Sequence, residues 1–201
     1  MIQIQIWADF ECPYSYFQTI ALEKLQARYQ NGIELVWRAF ELTPVDGHIL
    51  PSETYIKNFQ AAKAESVVQD EGLKLIEPKS LTYTWLAQEC VYFANSQDLS
   101  LKLARALFDA FFLRGLDISS EEVVMTVASQ AGLNIAKLKQ ALEDDALTKH
   151  VLADEQEFKT YGFQGLPAML IGEKDFSPRS FMPINGYKTL EELIEILPHK
   201  S

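Results

Sequence analysis

The chain has 201 residues, a formal net charge of −10, 48% hydrophobic residues and 23% charged ones. That length suits one domain with a large insertion better than two independent domains. The acidic balance argues against binding nucleic acid or an anionic membrane through a basic face. The two cysteines, Cys12 and Cys90, are too few for a disulfide framework, and no metal-ligand spacing occurs, so no metal is expected. The first residues lack a basic leader and no run is long and apolar enough to span a membrane. A cytoplasmic, reducing location is the resulting expectation.

Residues 2–7 alternate polar and apolar side chains and predict a strand. The segment Asp9-Phe10-Glu11-Cys12-Pro13-Tyr14-Ser15-Tyr16 follows. Pro13 suits a first helical turn, where its missing N–H costs nothing. The predicted helix covers 13–29, with Phe17, Ile20, Ala21, Lys24 and Leu25 at helical spacing, and Asn31-Gly32 ends it. Residues 33–40 read as a second strand with Ile33, Leu35 and Trp37 on one face. A strand, a helix and a strand of these lengths form a β-α-β unit with parallel strands.

From 52 to 161 the pattern predicts helices only, over 53–71, 83–95, 99–113, 120–130, 135–142 and 146–161. Ser119 with Glu122 has the form of a capping box, and Gly115, Gly132 and Gly162 stand where helices should stop. Segments 43–51 and 76–80, with their prolines, are the expected joints. Strand signals return at 166–172 and 181–184, which should pair as a hairpin. Thr189 with Glu192 then caps a final helix running to Leu197, with Leu190, Leu193, Ile194 and Leu197 inward.

Cys12 carries the chemistry. A thiol at a strand-to-helix junction faces backbone N–H groups and the positive end of a helix dipole, which predicts a pKa below the free value of roughly 8.5. Asp9 and Glu11 oppose that shift through their negative charge. Ser15 stands where a dithiol motif would place its second cysteine, so Cys12 has no local disulfide partner. Ser15 either donates a hydrogen bond to the Cys12 thiolate or fills space. Cys90 lies within an apolar helical run and reads as a small core residue. To resolve a Cys12 intermediate its Cα would have to approach within about 7 Å. Of Tyr14 and Tyr16, one should shape a substrate groove and the other pack inward. His48, His150 and His199 are scattered, without spacing that makes any of them a base for Cys12.

The order β-α-β, helical block, β-β-α, with Cys12-Pro13-Tyr14-Ser15 after the first strand and Gly165-Leu166-Pro167-Ala168 before the third, resembles the DsbA-like oxidoreductase family over about the full length. The resemblance is to its cytoplasmic FrnE-like branch. It implies an α/β, thioredoxin-like fold formed by 1–50 and 162–201, with an all-helical domain inserted over 51–161. It also implies a cis Leu166–Pro167 bond lying against the sulfur. Cys12 and Ser15 would be the catalytic residues, and Pro13, Tyr14, Leu166 and Pro167 would bind substrate. FrnE-like members carry a second cysteine at the position of Ser15, and an asparagine and a histidine at positions matching Tyr83 and Gln88. The related 2-hydroxychromene-2-carboxylate isomerases and kappa-class glutathione transferases have serine at the position of Cys12 and use glutathione.

The first functional expectation is thiol–disulfide exchange by a monothiol route, through a mixed disulfide on Cys12. Protein disulfides or small thiols would be the partners and glutathione a co-substrate, with no tightly bound cofactor. A glutathione-dependent transferase or isomerase of aromatic small molecules is the second reading. The third is a redox-inactive module that binds extended peptides at the Pro167 loop. No motif specifies an oligomeric state.

Overall fold

The computed structural model describes residues 1–45 and 47–197. His199 lies outside the described residues. The first strand, β1 (Ile2–Ala8), pairs in parallel with β2 (Ile33–Ala39), from Ile2 opposite Ile33 to Ala8 opposite Ala39. The crossover between them is α1 (Pro13–Tyr29). Strands β3 (His48–Ile49) and β4 (Leu81–Thr82) form a separate short antiparallel ladder. Strands β5 (Ala168–Glu173) and β6 (Met182–Asn185) complete the main sheet in the order β2-β1-β5-β6, both antiparallel to their neighbours.

The alternation in β1 has a physical outcome on both faces. Ile2, Ile4 and Ile6 enter the large apolar cluster that also holds Phe17, Ile20 and Leu193. Trp7 points the other way, into a second cluster with Phe158, Phe163, Leu170 and Phe181. The closing helix α9 (Leu190–Ile196) begins at a complete capping box, with Glu192 N–H donating to Thr189 Oγ1 and Thr189 N–H to Glu192 Oε2. Leu193 and Leu197 are buried, and Leu190 and Ile194 pack against the same cluster.

Between the two halves of the sheet lie α2 (Glu53–Lys63), α3 (Ser66–Asp70), α4 (Trp85–Asn95), α5 (Ser100–Phe108), α6 (Glu121–Ala131), α7 (Ile135–Glu143) and α8 (Thr148–Thr160). Three expectations change here. The block is not purely helical, because β4 falls inside it. The predicted helix over 53–71 is two helices, since Ala64 and Glu65 bond back to Ala61 and Ala62 and Glu65 turns extended. The capping box at Ser119 does not form: its N–H and hydroxyl both donate to Asp117 Oδ1, at 2.9 and 2.7 Å, and Ser120 becomes the N-cap. Beyond α5 the chain widens into a π-turn over Asp109–Leu113, and Tyr16, wholly buried, donates its hydroxyl to Asp109 Oδ1 at 2.5 Å.

Gly172 in β5 is required for a packing reason. A Cβ there would lie 2.5 Å from Cγ of the buried Phe181. Displacing a buried ring costs about 1–3 kcal/mol. Gly172→Ala is therefore expected to lower the urea midpoint by that amount of stability. An unchanged midpoint would show that the ring moves freely.

Candidate active site

Where β1 ends, the loop Asp9 to Cys12 is held from several elements at once. Phe10 stacks on Trp37 with ring centroids 5.4 Å apart and contacts Phe108 at 5.1 Å. Asp9 accepts from Leu42 N–H at 2.6 Å and from Thr84 Oγ1 at 2.8 Å. Glu11 turns inward, its Oε1 accepting from the Thr82 N–H, while its carbonyl takes the Tyr55 hydroxyl at 2.8 Å. Beneath the loop, Gln88 donates to Ala8 O and Phe40 O, both at 3.0 Å, and accepts from Trp37 Nε1 at 2.9 Å. Gln88 thus ties the end of β1 to the chain just past β2.

Cys12 is the N-cap of α1, with φ −93° and ψ 112°, and its N–H returns to Asp9 O at 3.1 Å. The residue is only 8% exposed. Its thiol faces the carbonyl of Leu166, with Sγ 3.7 Å from the oxygen. The Leu166–Pro167 peptide bond is cis. Pro167 O accepts from Gly186 N–H at 2.9 Å, joining the loop before β5 to the loop after β6. Against Leu166 lies a groove of about 440 Å³, which Gly162, Gly165, Gly186 and Asn185 help to line. Three glycines leave its walls largely backbone, so an extended chain can approach closely.

The thiol pKa is raised, not lowered as the helix N-terminus suggests. Burial is the largest cause. The Ser15 hydroxyl and the N–H groups of Ser15 and Tyr14 oppose it without overcoming it, and Asp9 adds to the rise. The Leu166 carbonyl also favours the protonated sulfur, because it accepts a proton and repels negative charge. Ser15 is wholly buried, and its Oγ meets hydrogen-bond geometry with no described atom. Its influence on the sulfur is that of a nearby dipole.

Three buried carboxyl groups surround the loop. Burial raises Asp9 to about 6. Burial and then the charge of Asp9 raise Glu11 to about 8. Burial, Asp9 and Glu155 raise Glu41 to about 8. Glu11 Oε2 has no hydrogen-bond partner among the described residues, as suits a carboxyl group that keeps its proton. At neutral pH the site therefore holds Glu11 and Glu41 protonated beside a protonated thiol, with Asp9 largely ionised.

Cys12 and Leu166 meet although 154 positions separate them. Pro13 is buried at the first helical position, and half-buried Tyr14 reaches Glu65 Oε1 with its hydroxyl at 3.4 Å. Cys90 is not part of this arrangement. It is wholly buried in α4, and burial, then Glu89 and Glu121, push its thiol up to about 12. Both cysteines are free. His48 pairs with Asp117 and His150 stacks on Tyr92, so neither is the partner of Cys12. Among the described residues no cluster of His, Cys, Asp and Glu could hold a metal ion, and no helix is long and apolar enough to cross a membrane. Glu41, Tyr55, Thr82 and Thr84 were missed by sequence reasoning, which noted Gln88 only as a position matching a family histidine and not as the pin beneath the loop. Thr82 and Thr84, just ahead of the α4 pattern, offered a weak cap signal, and the others offered none.

Residues 3–195 match the family model described as a DSBA-like thioredoxin domain. YwbO of Bacillus subtilis (strain 168), an uncharacterized protein, is 27% identical over 148 residues, which are 71% of this chain and 72% of YwbO. A probable DsbA oxidoreductase from Streptomyces coelicolor superposes with a TM-score of 0.72 at 23% identity, covering 100% of this chain and 94% of that one. The cytosolic disulfide reductase DsbM from Pseudomonas aeruginosa, solved with GSH, superposes with a TM-score of 0.67 at 14% identity, covering 90% and 89%. The two structural likenesses show a common fold.

Proposed function

The chain belongs to the DSBA-like thioredoxin domain family, and from that premise we propose that it is a thiol–disulfide oxidoreductase acting through Cys12 alone. One observation carries the reading: the Cys12 sulfur lies 3.7 Å from the Leu166 carbonyl, beside a groove walled by glycine backbone. An extended disulfide-bearing chain in that groove pairs with the Leu166 backbone and lies against Tyr14 and Pro13. Its entry takes the Leu166 carbonyl away from the thiol. The Tyr14 and Ser15 N–H groups then remain to hold the thiolate.

In the reaction, the Cys12 thiolate attacks one sulfur of the substrate disulfide. The Cys12–substrate bond forms, the substrate S–S bond breaks, and the other sulfur leaves as a thiolate. An external thiol, with glutathione the expected co-substrate, then attacks the mixed disulfide and returns Cys12 as thiolate, since Ser15 has no thiol to do so. That attack falls on the substrate sulfur and leaves it in a disulfide with glutathione; a second glutathione thiol then releases the substrate thiol and forms glutathione disulfide, so two thiols are oxidised for each substrate disulfide reduced. A raised pKa makes Cys12 a strong nucleophile once ionised and a poor leaving group. The cycle thus runs as reduction or isomerisation, unlike strong oxidants whose reduced thiolate is stabilised. The kinship with a fold neighbour named as a disulfide reductase and solved with GSH supports this direction. In this reading residues 51–161 are the helical insertion that supplies Tyr55, Thr82 and Thr84 to a thioredoxin-like domain of 1–50 and 162–201. The reducing cytoplasm is the compartment that fits a lone working thiol.

Intact-mass measurement after treatment with glutathione disulfide tests the reading. One glutathione adduct is expected on the wild type and on Cys90→Ala, and none on Cys12→Ser. Saturable glutathione binding without an adduct would instead make Cys12 or Ser15 a clamp for the glutathione thiolate. Ser15→Cys is expected to restore a dithiol motif. It should convert the stable adduct into an internal disulfide with release of glutathione, read as loss of adduct mass within the same assay. Persistence of the adduct in that variant would show that position 15 cannot reach the mixed disulfide.

A further inference from the structure

A second cavity opens on the helical side of the molecule, between the β3–β4 ladder and the end of the π-turn. Its volume is about 410 Å³, within the range of small-molecule sites. Buried Phe111 and partly exposed Ile76 give it an apolar wall. Ile76 is fixed by its N–H to Phe112 O at 2.7 Å, and the chain turns in the left-handed conformation at Gly115, φ 62°, where a Cβ would lie 3.9 Å from Ile76 Cδ1.

The polar groups of the cavity are unequally satisfied. Asp117 is saturated: Oδ2 meets His48 Nε2 at 2.8 Å, and Oδ1 accepts from Thr82 Oγ1, Ser119 N–H and Ser119 Oγ. Glu77 accepts from the Gln60 amide. Lys79 and Arg114, also on the cavity, form no ion pair among the described residues. Lys79 and Arg114 thus face the cavity as cations without a carboxylate partner among the described residues, in a chain whose net charge is −10. None of the groove residues beside Leu166 lines this cavity. The two are nevertheless adjacent layers, because Thr82 touches Asp117 with its side chain and Glu11, next to Cys12, with its N–H.

We propose that this cavity binds a small anionic molecule with an aromatic body: ring against Phe111 and Ile76, and carboxylate, sulfonate or phosphate between Lys79 and Arg114. The pairing follows from charge complementarity over an apolar floor. It goes beyond the thiol chemistry above, and its test uses no thiol, so either can fail without the other.

The probe is 8-anilinonaphthalene-1-sulfonate on the native full chain, followed by fluorescence, with neutral N-phenyl-1-naphthylamine as the control. The wild type is expected to bind the sulfonate at one saturable site. Lys79→Ala with Arg114→Ala, both at exposed positions, should weaken it about tenfold or more while the thermal midpoint and the binding of the neutral probe stay unchanged. Sulfonate binding that survives the double substitution overturns the proposal. So does loss of both probes together, which would mark an apolar patch without anion recognition. If the midpoint of the double variant falls, the single variants Lys79→Gln and Arg114→Gln carry the same comparison.

Discussion

Cys12→Ser is expected to reduce glutathione-coupled disulfide reduction by at least ~10³-fold, the scale on which removal of a nucleophile is felt. Serine keeps the N-cap position and nearly the same volume, so the variant should fold. Its loss of rate would then report the missing sulfur. The pH profile of the wild type carries a second expectation. The thiol pKa is raised by burial, so the thiolate fraction at pH 7 falls below the few per cent of a free cysteine. Iodoacetamide alkylation of Cys12 should be slower at pH 7 than that of a free thiol and should still climb above pH 9. A plateau reached near pH 7 would overturn the electrostatic account, and equal reductase rates in wild type and Cys12→Ser would overturn the assignment of the nucleophile. With substrate disulfide bound, the Leu166 carbonyl no longer faces the proton, so kcat should be less steep in pH than alkylation.

The second large effect is on stability. Glu11 and Glu41 each have a folded pKa of about 8 against an ordinary value of 4.5. Between those values the unfolded chain has released a proton that the folded chain retains. Raising the pH from about 4.5 to about 8 therefore favours unfolding, and the cost is complete above about 8. Asp9, raised to about 6, acts with the same sign over a lower window. Burial of these carboxyls makes the effect substantial, on the order of 1–3 kcal/mol for Glu11. Urea unfolding should give a lower free energy at pH 8.5 than at pH 5.5. Glu11→Gln, a mimic of the protonated form that keeps an oxygen for the Thr82 N–H, should flatten that slope and gain stability at pH 8.5. A wild type as stable at pH 8.5 as at pH 5.5, or a variant destabilised at pH 8.5, would contradict the protonated cluster.

Much of the fold was legible because its signals are local. The period-two run in β1, Pro13 at the first turn of α1 and the Thr189–Glu192 box need only neighbours a few residues away. The failures were of a different kind. The 53–71 run has helical composition throughout, yet it breaks at Glu65, which turns extended ahead of α3, where Val67 is buried. The Ser119 hydroxyl was drawn off by Asp117, which itself answers to His48 and Thr82 from distant segments. Gln88, which differs from the histidine of FrnE-like members, proves to be a buried pin between Ala8, Phe40 and Trp37.

Sequence alone determined the nucleophile candidate, its place at a strand–helix junction and the lack of a thiol at Ser15, because residue identity and short-range periodicity decide those. Tertiary structure decided the state of that nucleophile. Leu166 reaches the sulfur across 154 positions, and Thr82 reaches Glu11 across 71. Desolvation depends on what the whole chain packs around a group, so the helix N-terminus that predicts a lowered thiol pKa is outweighed by the burial that raises it.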